Sequence, residues 1–353
     1  VLAVTRRPAV AARCHPLPAP LGYRGPMNHR WSRLLVVVLA VAIAGAGCKG
    51  MKPKPKDDPK AEGSTTDVTS DRSMQVMNYY VEFFNDLIDE IPDLTRNYWE
   101  RAGDAGLDVE TMTKWGNVVC AGAGWMKMKR EEAKTRVGQI EKQSSGEFAK
   151  MPPLAKAMYD AAIAYAEKRD AMCAYVKGGE FKIAAGAKAK ALHADLVAAS
   201  EAWGKAVDAL AVDLERVEDA QSNAELAKHE AAKSYGYWFR LATIRSNEFL
   251  RVARRDGAKA EAGLPKLEEA IAGFVAFAKD KPNAHASFVG FGKQVDRMQQ
   301  ALAKLKPALA KAATPAAKAA AIEAAMENLL SVYNTMVSLH NTLVEAEGNG
   351  QLK

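Results

Sequence analysis

From Met77 onward, apolar residues recur at every third or fourth position. Met77, Tyr80, Phe84, Leu87, Ile91, Leu94 and Tyr98 fall at spacings of 3-4-3-4-3-4, the seam of a helix packed on helical neighbours. The pattern predicts a first helix that bends at Pro92 and stops at "RAGDAG" (101–106). A second segment runs from near Asp108 to about Gln143, where Gly116, Gly122 and Gly124 either weaken the helix or allow close packing. Pro152-Pro153 opens a third, with Leu154, Met158, Ala161, Tyr165, Met172 and Tyr175 on one face and Gly178-Gly179 closing it.

From about Ile183 to Arg255 there is no proline. Leu196, Trp203, Val207, Leu210, Leu214 and Val217 seam the first half; Tyr235, Phe239, Ala242, Phe249 and Ala253 seam the second. A single helix of that length would measure about 105 Å. The stretch is either one helix or a hairpin, and a break is expected near Asp219–Asn223. Pro265 suits the first turn of the next helix, which "DKPN" ends. Phe288, Phe291, Val295, Met298, Leu302, Leu305 and Leu309 continue the spacing. Thr314-Pro315 then caps a last helix with Ile322, Met326, Leu329, Tyr333, Met336, His340 and Leu343 inward.

No stretch alternates as a strand would. The expected fold is all-α: seven or eight amphipathic helices in an elongated antiparallel bundle with coiled-coil-like seams. It covers residues 74–347 as one domain, or as two packed sub-bundles, with 348–353 as a flexible end.

"RLLVVVLAVAIAGAGCKG" (33–50) follows a different pattern. Its uninterrupted apolar run, Leu34 to Ala44, is eleven residues long, against the roughly twenty that a spanning helix needs. Arg30 and Arg33 precede it, and small residues and Cys48 follow, the plan of a secretory signal. Met27 suits the initiator, so 27–47 reads as the signal and 1–26 as an over-extended start. "AGAGC" resembles a lipobox, in which the Cys is diacylated and becomes the mature N-terminus. Ala46, Gly47 and Cys48 match that pattern, and Gly45 departs from the usual Leu. The alternative is an ordinary cut after Ala44-Gly45-Ala46. Lys49, in place of Asp, leans toward the outer membrane by resemblance to sorted lipoproteins.

Charge follows from this division. The net charge is +7, yet residues 1–47 hold six Arg, no Lys and no acid; with them removed, 43 basic residues face 42 acidic. The bulk-charge argument for nucleic acid therefore fails. Residues 49–73 are Lys- and Pro-rich without an apolar face and are expected to form a disordered tether. Its flexible span is roughly 25–30 Å.

Past Cys48 only Cys120 and Cys173 remain, on the second and third predicted segments. In an exported chain they pair, stabilising by about 4 kcal/mol on the chain-entropy model, or else stay as buried thiols. Four histidines remain: His193, His229, His285 and His340. "HEAAK" at His229 has Lys233 where a zinc-protease helix needs its second His. No Glu lies three residues before a His, and C-x-x-C-H, Walker, dinucleotide and nucleophile-elbow motifs are missing. Neither a metal nor another cofactor is expected, and no constellation points to an enzyme. The tryptophans and tyrosines, Trp115, Trp125, Trp203 and Trp238 among them, read as mostly core by spacing. "SYGYWFR" (234–240) is aromatic nearly all round, so part of it faces a helix, a partner or lipid.

"MNYYVEFFNDL" (77–87) and "LLSVYNTMVSLHNTL" (329–343) resemble the two ends of the YiiG-like bacterial envelope lipoproteins. That resemblance implies a lipoprotein signal, a polar linker and about 270 helical residues of unknown function, with no catalytic residues. The sequence thus points to an envelope lipoprotein, tethered to the membrane through its N-terminal lipid on the periplasmic side. Its bundle acts as a binding or structural module, with an envelope protein as a possible partner. The alternative is a bundle that binds a small ligand or metal, with His340, Asn334 and Asn341 lining the site.

Overall fold

A computed structural model describes residues 68–103, 106–121, 125–183, 187–281 and 284–352. The signal run, Cys48 and most of the expected tether lie outside these residues. Among the described residues there are nine α-helices and no strand: α1 (Val68–Ala102), α2 (Val109–Val119), α3 (Trp125–Gln143), α4 (Pro152–Gly178), α5 (Ala187–Glu230), α6 (Tyr235–Arg255), α7 (Leu264–Lys279), α8 (Ala286–Lys311) and α9 (Pro315–Gly348). The fold is an all-α helical bundle.

Most of the described seam positions are buried, while Leu154, Ala161, Tyr235 and Met326 are half-buried. Tyr80, Phe84, Trp203, Leu210, Phe291, Val295, Leu329 and Met336 are each 1% exposed or less. Local chemistry ends the helices where punctuation residues stand. Gly179 adopts φ +70 as the left-handed cap of α4, its N–H bonded to the Val176 carbonyl. Thr314 Oγ1 accepts from the Ala317 N–H at 3.1 Å, with Pro315 in the first turn of α9.

Three boundaries and one side-chain placement differ from the expected ones. Helix α1 starts at Val68, so the last six residues of the expected tether are helical. Ser73 there hydrogen-bonds Glu147 and Gln221. The 108–143 segment is two helices, α2 and α3, interrupted at Cys120–Ala121. Gly116 packs so closely on α4 that a Cβ would stand 2.7 Å from Val176. The third difference is the largest. Helix α5 passes through Asp219–Asn223 and continues to Glu230; Asp219 there bonds Arg251 of α6, and the neighbouring Glu218 accepts from Asn247. The chain turns at 231–234 instead, where Lys233 takes φ +41 and Ser234 is extended ahead of α6. The fourth is Trp115, which is 40% exposed. Met112, Gly116 and Val119 form the inner face of α2, and that turns Trp115 outward beneath Arg101, 5.1 Å from its ring centre.

Two apolar cores result. The first gathers α1, α2, α3, α4 and α5 up to Val217; the second begins at Phe239 and gathers α6, α7, α8 and α9. Contacts give each an up-down-up-down order. Tyr80 meets Ser144, Cys120 meets Cys173, and Tyr98 meets His193 in the first. In the second, Tyr235 packs edge-on to Phe277 and Phe288, at 5.2 and 4.7 Å between ring centres. Of the aromatic run 234–240, Phe239 is fully buried and Tyr235, Tyr237 and Trp238 are half-buried. Phe239 meets Phe291, and Phe291 meets Phe274 at 5.2 Å. Helix α5 belongs to both units, and its last third lies antiparallel to α6.

Phe291 is fully buried at the centre of the aromatic cluster. Phe291→Ala should destabilise the protein by about 3–5 kcal/mol, read as a lowered midpoint in urea unfolding.

Candidate functional site

Cys48 lies outside the described residues; the predicted cysteine pair and the four histidines lie within them. Cys120 and Cys173 form a disulfide with Cα atoms 5.3 Å apart, and both are buried. Arg169, one turn before Cys173 on α4, is 0% exposed. Its Nη2 donates to the carbonyls of Val119 and Ala121, on either side of Cys120. Burial draws the Arg169 guanidinium below its ordinary value, against Asp170 and Tyr165. The helical interruption after α2 is thus pinned twice to α4, once covalently and once by a buried cation on backbone oxygens.

The four histidines have separate environments. His193 is buried against Tyr98, whose hydroxyl lies 2.6 Å from Nδ1. His229 sits between Glu225 and Glu347, at 3.4 and 3.6 Å. His285 caps α8, accepting from the Ser287 N–H. His340 is 1% exposed, with Nδ1 3.1 Å from Thr243 Oγ1 and the ring edge-on to Phe239. Burial, and then the Arg240 charge, lower its pKa to about 3, so the ring is neutral. Asn334 is exposed and Asn341 half-buried. They share one stripe of α9, seven residues apart, while His340 lies about 100° round the helix from Asn341. The structure does not bring His340 and Asn334 to one site. Among the described residues no group of three or more His, Cys, Asp or Glu is placed to hold a metal ion.

Sequence reasoning passed over a charged seam between α5 and α6. Glu215, Glu218, Arg251 and Arg254 are all under 9% exposed. Arg255 Nη2 meets Glu215 Oε1 at 2.6 Å, and Asn247 Nδ2 donates to Glu218 Oε1 at 2.9 Å. Arg251 bonds Asp219 and lies 3.7 Å from Glu218. Burial pushes the Glu218 carboxyl up to about 7, against the pull of Arg251, and pushes Glu215 up as well. Burial also opposes the Arg251 charge, but Glu218 and Asp219 outweigh it and hold its pKa high. From α9, the Tyr333 hydroxyl faces this seam; burial and Glu218 raise its pKa well above the ordinary value. A second ionic group follows one step along, where Arg240 Nη1 bonds Glu347 at 2.6 Å and ties the end of α9 to α6.

The arrangement has the chemistry of a structural lock. Its carboxylates already have partners, and Glu215, Glu218, Arg251 and Arg254 are withdrawn from solvent. The sequence signal for it was the complement of charges: acids at 215, 218 and 219 on one helix, and arginines at 251 and 255 on the next.

Residues 71–314 match the model of a family described as a protein of unknown function, DUF3829. The chain belongs to that family. The match covers more than half of the chain and stops where α8 gives way to α9. No curated protein and no solved structure matches the chain.

Glu218 and His340 make opposite contributions to stability against pH. The carboxyl, raised from 4.5 to about 7, contributes stability that is present below 4.5 and lost as pH rises through 7. The imidazole, lowered from 6.5 to about 3, contributes stability that is present above 6.5 and lost as pH falls toward 3. The two slopes nearly cancel between pH 4.5 and 6.5. Glu218→Gln should uncover the His340 slope, losing about 2 kcal/mol relative to wild type between pH 6.5 and 5. His340→Leu should uncover the other, with relative stability falling by about 2 kcal/mol as pH rises from 5 to 7. Urea unfolding across that range measures both.

Proposed function

We propose that the protein is a cell-envelope lipoprotein whose two-core helical domain is a non-catalytic binding or structural module. It is held on the periplasmic side of the membrane, the outer one in preference to the inner. The observation that carries this reading is the buried Cys120–Cys173 bond, since such bonds persist in oxidising compartments outside the cytoplasm. The apolar run Leu34–Ala44 ahead of Cys48 supplies a route to that compartment and an attachment point. No helix among the described residues is long and apolar enough to cross a membrane; the anchor proposed is a lipid on Cys48. The resemblance to YiiG-like lipoproteins supports the same plan.

A module role rather than a reaction fits the chemistry at hand. The charged side chains that are buried hold helices together. The near-balance of 43 basic and 42 acidic residues beyond the first 47 speaks against nucleic acid as a partner. An envelope protein is the partner class proposed.

Fractionation of cells expressing Cys48→Ala tests the tether. The variant should leave the membrane fraction or accumulate unprocessed, and unchanged membrane association would overturn the lipoprotein reading. Thiol titration of the mature wild-type chain in denaturant should find no free thiol before reduction and two after it, from Cys120 and Cys173.

A further inference from the structure

A groove of about 300 Å³ lies between α8 and α9, on a face that plays no part in the charged seam. Two stripes line it. Arg297, Gln300 and Lys304 come from α8; Asn328, Ser331 and Thr335 come from α9. Each set recurs at the spacing that puts side chains on one helix face. The floor is apolar, made by Ala301 and Val332, both buried.

The charge of this lining is one-sided. It holds two cations and no carboxylate. On the same helix, α8, Lys306 pairs with Glu268 at 2.8 Å. Neither Arg297 nor Lys304 has a carboxylate partner within 4.0 Å among the described residues. Arg297 is steadied instead by the buried Gln294, whose Oε1 lies 3.4 Å from Nη1. Arg297 and Lys304 are seven residues apart, so their backbone attachment points are about 10 Å apart along the helix. Between and opposite them stand amides and hydroxyls, which both donate and accept hydrogen bonds.

We propose that this groove is a binding site for a small polyol carrying an anionic group, phosphate or carboxylate, at each end. The two cations would take the anions, as charge-assisted hydrogen bonds require. Gln300, Asn328, Ser331 and Thr335 would take the hydroxyl-bearing body. The volume suits a metabolite-sized ligand. The site stands independently of lipidation and of any envelope partner.

Calorimetric titration of the purified full chain tests this with four probes: fructose 1,6-bisphosphate, galactarate, fructose and inorganic phosphate. One or both of the doubly anionic polyols should bind, at least about tenfold tighter than fructose or inorganic phosphate, and the better of the two identifies the anion. Arg297→Gln and Lys304→Gln should each weaken that binding about tenfold. Ser331→Trp, which fills the groove from an exposed position, should abolish it. Lys266→Gln and Lys279→Gln on α7 should leave it unchanged. The proposal is overturned if no probe binds, if inorganic phosphate binds as well as the doubly anionic polyols, or if the α7 variants weaken binding as much as the groove variants do.

Discussion

Helix α5 is the constraint on which both cores depend. Its first thirty residues are one wall of the first core, and its last third is the helical segment against which α6 returns. A helix of 44 residues is about 66 Å long, and few such lengths stay straight without support along both ends. Support comes from apolar seams on the first part and from ion pairs on the second. The change of chemistry has a consequence. Apolar packing tolerates small slides of one helix on another, whereas Glu215, Glu218 and Asp219 meet Arg255, Asn247 and Arg251 in one register only. Buried pairs of this kind give up hydration and contribute little net stability. Their contribution here is to fix how far α6 runs back along α5, and through that the position of the second core relative to the first.

The same division of labour recurs at the weakest point of the first core. The helical segment formed by α2 and α3 is interrupted near Cys120, where an unbroken helix would have supplied its own hydrogen bonds. Arg169 meets the exposed carbonyls of Val119 and Ala121 from the side, and the disulfide fixes the distance. A cation buried on carbonyl oxygens costs less than one buried among apolar groups. The guanidinium is therefore held by the break in α2–α3, and that break is held by the guanidinium.

The fold was legible in the sequence to the extent that periodicity carries it. The seams of α4, α8 and α9 lie where the 3-4 spacing puts them, and Gly179 and Thr314 end or begin helices by chemistry that a sequence displays. What could not be read there depended on partners. The polar "DAQSN" reads as a breaker, yet Asn223 turns its amide back onto the helix and Glu218 and Asp219 face α6, so that segment is helical and partly buried. The true turn, at 231–234, has no glycine or proline to announce it. It is set by where Tyr235 must sit, between Phe277 and Phe288. Trp115 misleads in the same way: its size suggests core, but the face of α2 is chosen by Met112 and Gly116. The groove between α8 and α9 was invisible because its polar stripes look like any solvated helix face until the helices are paired.

Helix α9 lies beyond the range matched to the family. The second core cannot be complete without it. Leu329, Met336 and Leu343 are fully buried within that core, His340 covers Phe239, and Glu347 is the partner that Arg240 would otherwise lack inside the protein. Removing the last helix would open the apolar centre and leave a nearly buried guanidinium with only backbone and a distant Glu225 to face. The range matched to the family therefore encodes the scaffold up to the point where a fourth helix is required. In this chain α9 supplies that helix, and with it one wall of the groove.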